Sequence, residues 1–244
     1  MNDANAPTPP VLPTQVRTAP VPAPLGTDPS EREPISGLVN AAEAVLRQPR
    51  RVMYQLRQPG SGRLSTTLVL IAAGCSLIYG IVVGTFSGGE QLWAAPAKLA
   101  VGLLLSALIC LPSLYIFSCL GGSPARLAEV AGIVTGTLAL TTVLLIGFAP
   151  VAWVFSQSTE SVAAMGALHL VFGAIAAYFG LRFMNTAYGH LGAKSSGGLK
   201  AWMLIFILVV LQMTTALRPI VGKAETFLPT EKRFFVTHWV QCLK

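Results

Sequence analysis

Residues 64–86 of this chain read LSTTLVLIAAGCSLIYGIVVGTF, a long run without one charged side chain. A helix needs roughly 20 mostly apolar residues to cross a hydrocarbon core of about 30 Å. Backbone polar groups in lipid must be satisfied within the segment, so such a run is expected to be a transmembrane helix. The stretch alone indicates an integral membrane protein.

Four further apolar runs repeat this pattern, at residues 97–120, 129–155, 161–184 and 199–217. Together the five runs predict an all-α, polytopic bundle of about five transmembrane helices with flanking amphipathic helices. The composition agrees, because 53% of the 244 residues are hydrophobic and 11% are charged. A soluble domain carries about 25% charged residues.

The chain divides into four regions. Residues 1–36 are rich in proline and poor in large apolar side chains, so we expect a disordered cytoplasmic tail. Residues 37–60 are predicted to form a basic amphipathic segment beside the membrane, and residues 61–218 the five-span bundle. Residues 219–244 carry aromatic side chains that fall on one face of a short helix, which predicts an interfacial segment.

The segment before the first span has apolar residues at helical spacing from Ile35 to Leu46. Ser36 is suited to cap this helix, and Pro49 is expected to end it. Because the segment is both basic and amphipathic, it fits a helix lying in the membrane interface. A cytosolic helix packed on loops fits the same pattern equally well.

The cations concentrate just before the first span, at Arg47, Arg50, Arg51, Arg57 and Arg63. This position favours a topogenic role and contact with lipid headgroups. The net charge of +7 also raises the question of nucleic acid. No aromatic and basic platform accompanies the charge, so membrane lipids, and not nucleic acid, are the expected partners.

Cations in the connections predict the orientation. The loop between the second and third spans carries Arg126, and the loop between the fourth and fifth spans, with its edges, carries Arg182, Lys194 and Lys200. The two loops on the opposite side carry only Lys98, which lies with Trp93 at the expected interface. The positive-inside rule therefore places the N-terminus in the cytoplasm and the C-terminus on the opposite side. The basic residues after position 217 argue mildly against this orientation.

Small residues recur one helical turn apart in two spans. They are Gly80, Gly84 and Gly88 in the first span and Gly132 and Gly136 in the third. Such spacing lets helix backbones approach closely. Glycine is also common in membrane helices, which explains any one pair equally well. Two stripes on different spans favour packing within one chain over homo-oligomerisation, which stays open.

His169 and Gln212 are the candidate polar sites within spans. Ionisable residues inside a membrane are often functional. His169 has no second histidine or carboxylate one turn away, so we expect a neutral imidazole bonded to a backbone carbonyl or to a threonine. The candidate threonines, which could supply this partner or bond back to their own helix, are Thr135, Thr137, Thr141 and Thr142. Replacing His169 by Phe is then expected to change the fold little.

Catalytic and metal-binding patterns are missing from the sequence. The four cysteines form no CxxC motif and no Cys/His metal spacing. The sequence also has no HExxH, GxSxG or phosphate-cradling loop, and no paired carboxylates within a span. We therefore expect a protein without enzymatic activity, metal or cofactor.

A family resemblance rests on three stretches: an amphipathic helix and a proline at 38–49, the five spans, and LPSLY at 111–115. With these the chain resembles a distant bacterial member of the Yip-domain family of multi-span membrane proteins. A late stretch, also found in bacterial multi-span proteins, contains Gln212, Met213, Leu217, Arg218, Pro219 and Gly222. The resemblance implies a five-helix bundle in the cell inner membrane, a cytosolic N-terminus and no enzymatic activity. The GTPase-binding role of eukaryotic members is not implied, because the proline-rich tail shows no such motif.

Two functions remain open on this basis. The first is a non-catalytic scaffold or accessory subunit that binds lipid or a membrane protein complex. The second is a small transporter or channel subunit with a pathway near His169 and kinks at Pro112 and Pro150. A polar cavity that reaches His169 would favour transport, and a dry, tightly packed bundle would favour the scaffold, which we prefer.

Overall fold

The computed structural model describes residues 23–192 and 197–216. These residues form eight helices and no strand. The helices are α1 (Pro29–Arg32), α2 (Leu38–Arg47), α3 (Pro49–Leu56), α4 (Gly62–Ser87), α5 (Gln91–Leu120), α6 (Leu127–Ser158), α7 (Val162–Gly189) and α8 (Gly197–Ala216). The predicted all-α class is confirmed. The C-terminal interfacial segment and the late motif from Leu217 onward lie outside the described residues.

Each of the five predicted spans corresponds to one long helix, α4 to α8. All five are long and apolar enough to cross a membrane. The longest, α6, has 32 residues and therefore extends for about 48 Å. Because this exceeds the hydrocarbon thickness, α6 must tilt or project beyond it.

Glycines in left-handed conformations make the sharp turns between spans. Gly88 and Gly89 have φ angles of 66° and 56°, and the Gly88 N–H donates to the Gly84 carbonyl at 2.9 Å. Residues with a Cβ rarely adopt such angles, so these positions end α4 and reverse the chain. At the start of α7, the Ser161 hydroxyl accepts a hydrogen bond from the Ala164 N–H.

The five spans lie in the order α7–α6–α4–α5–α8. Helices α4 and α6 make the most extensive contact, and α7 and α5 pack on their outer sides. Helix α8 packs against α5. Its Trp202 is fully buried, and the Trp202 Nε1–H donates to the Cys110 carbonyl at 2.8 Å. This bond anchors the last span to the second.

The segment before the first span packs on the spans themselves. In α2, Ala41, Ala44 and Val45 are buried against α4 and α6. In α3, Leu56 is buried as well. The helix therefore does not rest on loops, which was one of the two placements that the sequence left open. Gly37, and not Ser36, precedes α2, and it offers no side-chain cap.

Part of the predicted disordered tail is ordered, contrary to the prediction. Residues 23–36 form a turn and the short helix α1, which packs against α3. Proline disrupts the interior of a helix, but Pro29 occupies the first turn of α1, where proline is tolerated. The Asp28 carboxylate caps this turn by accepting from the Ser30 N–H at 3.0 Å. Residues 1–22 lie outside the described part of the chain.

Candidate functional site: a basic end and a histidine within a span

One end of the bundle carries the exposed cations. We call it the basic end; α4, α6 and α8 begin there, and α5 and α7 end there. Its exposed cations are Arg57, Arg63, Arg126, Arg182 and Lys200. The turns at the opposite end, residues 88–90 and 159–161, carry Glu90 and Glu160 and no lysine or arginine. Among the described residues, the exposed charge of the bundle is therefore asymmetric along its axis.

Two of the five arginines before the first span are bound to protein. The Arg50 Nε–H donates to the Glu31 carboxylate at 2.5 Å, and its terminal nitrogen donates to the Pro24 carbonyl at 3.0 Å. Arg51 Nε donates to the Glu33 carbonyl at 3.0 Å. These groups are therefore occupied by residues 23–34, which we call the strap.

The remaining three arginines of that group are exposed. Arg47 pairs with Glu43 at 3.4 Å, and both side chains are more than half exposed. A pair of this kind contributes little to stability. Arg57 and Arg63 form no ion pair with any described residue. They are thus the members of the predicted headgroup set that are free to meet a lipid phosphate.

The strap is held by a buried carboxylate. Glu31 is only 5% exposed, and it accepts from the Gly26 N–H and from Arg50. Burial raises the pKa of Glu31, but the Arg50 hydrogen bond, the Gly26 N–H and the Arg50 charge outweigh it and leave the pKa below its usual value. Glu31 is therefore ionised at neutral pH and neutralises Arg50.

His190 lies at the same end, directly after α7. Burial lowers its pKa below the usual value, and the charges of Arg50 and Arg57 lower it further, whereas Glu31 acts in the opposite direction. Its Nε2 is buried and has no hydrogen-bond partner among the described residues. The two nearby cations disfavour the protonated imidazole, so the neutral form of His190 is expected.

His169, the candidate intramembrane site, bonds to a side chain on another span. Its Nδ1 lies 2.8 Å from the Tyr79 hydroxyl oxygen, and the two rings meet edge to face at 5.6 Å. Of the two alternatives for the candidate threonines, the second holds, because each donates to a carbonyl of its own helix and none bonds to His169. These bonds involve Thr135, Thr137, Thr141 and Thr142.

Among the described residues, the hydrogen-bond partner of His169 is the Tyr79 hydroxyl. Its Nε2 is buried without a hydrogen-bond partner among them. A shallow groove near the far end of α6 is lined by Pro150, Val151, Val154 and Phe155, all apolar. Tyr79 packs in a small cluster with Val83, Ala95 and Ala149. The surroundings of the Tyr79–His169 pair are thus mainly apolar.

Lys98 was expected at the interface but is buried. It is 2% exposed, whereas Trp93 is 81% exposed. The helix begins at Gln91 and continues through Pro96, so Lys98 lies about 10 Å into the span. The predicted span starts at residue 97, whereas the helix starts six residues earlier and continues through Pro96, which membrane helices tolerate. Lys98 therefore adds an ionisable residue within the bundle.

The glycines of the first span have two different roles. A Cβ at Gly80 would overlap the Pro96 Cα, and one at Gly84 would lie 2.8 Å from the Gln91 carbonyl oxygen. These two positions let α4 and α5 approach backbone to backbone. Gly88 has no atom within 4 Å of such a Cβ, and it belongs to the turn.

The glycines of the third span face side chains. A Cβ at Gly132 would lie 3.0 Å from Leu56 Cδ2, and one at Gly136 would lie 2.9 Å from Phe183 Cε1. They therefore make room for α3 and for an aromatic ring of α7. On α7, Gly180 would bring a Cβ to 3.2 Å from the Thr137 carbonyl oxygen, so this glycine also permits close backbone packing.

Gln212 and Met213 lie half-buried in α8. The described residues contain no group of three histidine, cysteine, aspartate or glutamate side chains arranged to hold a metal ion. No protein-family model, no curated protein and no solved structure matches this chain. The resemblance to the Yip-domain family therefore stays a prediction.

Proposed function

We propose that this chain is a non-catalytic scaffold or accessory subunit of the bacterial inner membrane. In this proposal the basic end faces the cytoplasm and binds the headgroups of anionic lipids, and the resemblance to the Yip-domain family reflects kinship. The observation that carries the proposal is the charge asymmetry of the bundle. Exposed Arg63, Arg126 and Arg182 all belong to one end, and the turns of the other end carry only acidic charge.

Electrostatics gives this asymmetry a direct consequence. The cytoplasmic leaflet is negatively charged, and each lysine or arginine near it contributes about 1 kcal/mol. Positive residues are also retained on the cytoplasmic side during insertion. The same cations therefore orient the protein and attract anionic headgroups once it is inserted.

The interior supports a scaffold more than a transporter. The buried Tyr79 hydroxyl is paired with His169, and the candidate threonines bond to their own helices. Proline-broken helices in transporters usually expose backbone to a cavity. Here Pro150 borders an apolar groove that does not include His169.

Reconstitution tests the lipid part of this proposal. The protein is placed in nanodiscs of pure phosphatidylcholine or of phosphatidylcholine mixed with phosphatidylglycerol, and its melting temperature is measured at low and high salt. We expect phosphatidylglycerol to raise the melting temperature, and salt to reduce the gain, because the attraction is screened. The variant Arg63→Gln/Arg182→Gln should lose much of this gain.

A matched control keeps the charge at the same positions. Arg63→Lys/Arg182→Lys retains a cation at both exposed sites. This control should keep the response to phosphatidylglycerol. Equal melting temperatures of the wild type in both lipids, or equal responses of the two variants, would contradict the proposal.

A further inference from the structure

Helix α2 has an apolar surface that the bundle does not cover. Leu38 is 53% exposed, Val39 is 79% exposed and Leu46 is 46% exposed. At 100° per residue, Leu38, Ala42, Leu46 and Val39 follow one another around one side of the helix, so these side chains form a continuous strip. We call this strip the outer flank of α2.

The outer flank borders the side that packs on the spans. Ala41, Ala44 and Val45 are at most 2% exposed and face α4 and α6. The polar residues Asn40, Glu43 and Arg47 occupy the remaining side of the helix. The apolar arc is therefore about 220° wide, twice what packing on a bundle requires. About half of this arc does not pack on the spans and is available to a second apolar environment.

The position of the neighbouring helix α3 shows how deep this hairpin lies. The Leu56 side chain of α3 packs against Gly132 of α6 and lies close to Gly136. Gly132 lies about 8 Å along α6 from its start, and it follows Glu129, the last charged residue of that helix. Leu56 thus packs beside the apolar part of a span, and not beneath its end, and α2 contacts the same two spans as α3, namely α4 and α6.

We infer that α2 lies in the boundary between headgroups and acyl chains at the basic end, with its outer flank inserted among the lipid chains. Beside a span at this depth, the lateral neighbour of an uncovered surface is lipid. The Glu43–Arg47 pair marks the opposite, water-facing side. A helix with these two sides is suited to lie in the plane of the interface.

A second copy of the chain fits the outer flank less well. A stable protein interface buries about 800 Å² on each partner. The flank offers three partly exposed large side chains on a helix of ten residues. This is much too small for such an interface, whereas a lipid surface needs no minimum area. Insertion of the outer flank depends on apolar contacts with the acyl chains. It is therefore independent of the charge of the lipid headgroups, on which the proposed function rests.

Spin labels test this placement directly. Single cysteines replace Val39 or Leu46 in a background in which the four native cysteines are alanine, and Asn40 and Glu43 serve as matched control positions. The protein is reconstituted in pure phosphatidylcholine vesicles. Collision rates with oxygen, which partitions into lipid, and with a water-soluble nickel chelate are then measured for each label.

We expect the labels at 39 and 46 to collide more with oxygen than with nickel, and the labels at 40 and 43 to show the reverse. Nickel accessibility at 39 equal to that at 43 would overturn the inference, since the flank would then face water. Protection of 39 from both reagents would also overturn it, because protein would cover the flank. The vesicles contain no anionic lipid, so failure here is distinct from failure of the proposed function.

Discussion

The Tyr79 hydroxyl oxygen and His169 Nδ1 lie 2.8 Å apart, and this hydrogen bond connects two helices that share α6 as their common neighbour. Tyr79 is 3% exposed, so the bond is shielded from water. It lies about 12 Å from the end of α4 and about 10 Å from the start of α7, on the side away from the basic end. The pair therefore ties the far ends of α4 and α7 together.

Removing one partner of this pair is expected to destabilise the bundle. Tyr79→Phe leaves both ring nitrogens of His169 without a hydrogen bond, at a cost of roughly 1 kcal/mol, the scale of such bonds in membrane proteins. The double variant Tyr79→Phe/His169→Leu should cost less than the sum of the single changes, because no polar atom is left unpaired. Unfolding in mixed micelles measures each free energy.

Tyr178→Phe is the matched control for this pair, because Tyr178 lies on the same helix as His169 but is 61% exposed. It should leave stability unchanged. Additive losses in the double variant would show that the two side chains do not interact. The bond also revises the expectation that His169→Phe is silent, since that change leaves the Tyr79 hydroxyl unpaired.

Alanine at Gly80 or Gly84 is expected to force α4 and α5 apart. The added Cβ meets backbone atoms of Pro96 or Gln91, which cannot move aside as a side chain can. Overpacking of this kind costs about 1–3 kcal/mol. Thermal unfolding in detergent measures the loss. Gly173→Ala is the control, because no atom lies within 4 Å of its Cβ position. Equal melting temperatures for all three variants would contradict the packing.

Alanine at Gly136 should have a smaller effect. Its Cβ would meet the ring of Phe183, a side chain that can rotate by a few tenths of an ångström. Ranking the unfolding free energies of the Gly80, Gly136 and Gly173 variants therefore separates backbone contact from side-chain contact. If the Gly136 variant has a lower free energy of unfolding than the Gly80 variant, this order is reversed. Such a result would show that α3 and α7 are held more rigidly than α5.

The strap is expected to release at acidic pH. The pKa of Glu31 is lowered in the folded state, so its contribution to stability is complete above the pKa of the unfolded carboxyl, about 4.3, and is lost as pH falls through the lower folded value. Glu31→Gln should release the strap already at neutral pH. The nuclear magnetic resonance signal of the Gly26 amide, which donates to Glu31, reports this change.

Glu43→Gln serves as the control for the strap, since Glu43 forms only an exposed pair with Arg47. It should leave the Gly26 amide signal unaltered. An unchanged signal in Glu31→Gln would show that the hydrogen bonds of Arg51 and Gln55 to the strap carbonyls suffice to hold it.

The pKa of His190 is expected to respond with opposite signs to its positive and its negative neighbours. Burial, Arg50 and Arg57 lower its pKa, and Glu31 raises it. Arg57→Gln should therefore raise the pKa of His190 toward its usual value of about 6.5, and Glu31→Gln should lower it. Because its folded pKa is lowered, the charged form costs stability, and that cost grows as pH falls below the unfolded value. Histidine ring titration measures both shifts, and shifts of the same sign would refute this arrangement.

The spans were predictable because hydropathy is a local property. A run such as 64–86 has one low-energy structure in lipid whatever surrounds it. Helix α5 starts at Gln91, six residues before the predicted start of the second span, and it continues through Pro96. The ordered structure of the strap was not predicted, because it depends on residues that are distant in the sequence. Glu31 and Arg50 come into contact only where α3 packs against the strap.

The candidate site was predictable only in part. The cluster of arginines was visible, but which of them are bound by the strap depends on contacts about 18 residues apart, as between Arg51 and Glu33. His169 was singled out as polar within a span, but Tyr79 lies 90 residues away. Residues one helical turn away lie on the same helix, so they cannot reveal a hydrogen bond between two helices.

Labelling from one side of the membrane tests the orientation and the spans together. Cysteines are placed at Gln58, on the basic end, and at Glu160, in a turn of the opposite end, in a background without native cysteines. A membrane-impermeant maleimide is added to intact cells, and then to opened membranes. We predict that position 160 reacts in intact cells and that position 58 reacts only after opening. Reaction of both positions in intact cells, or of position 58 alone, would contradict a bundle whose basic end faces the cytoplasm.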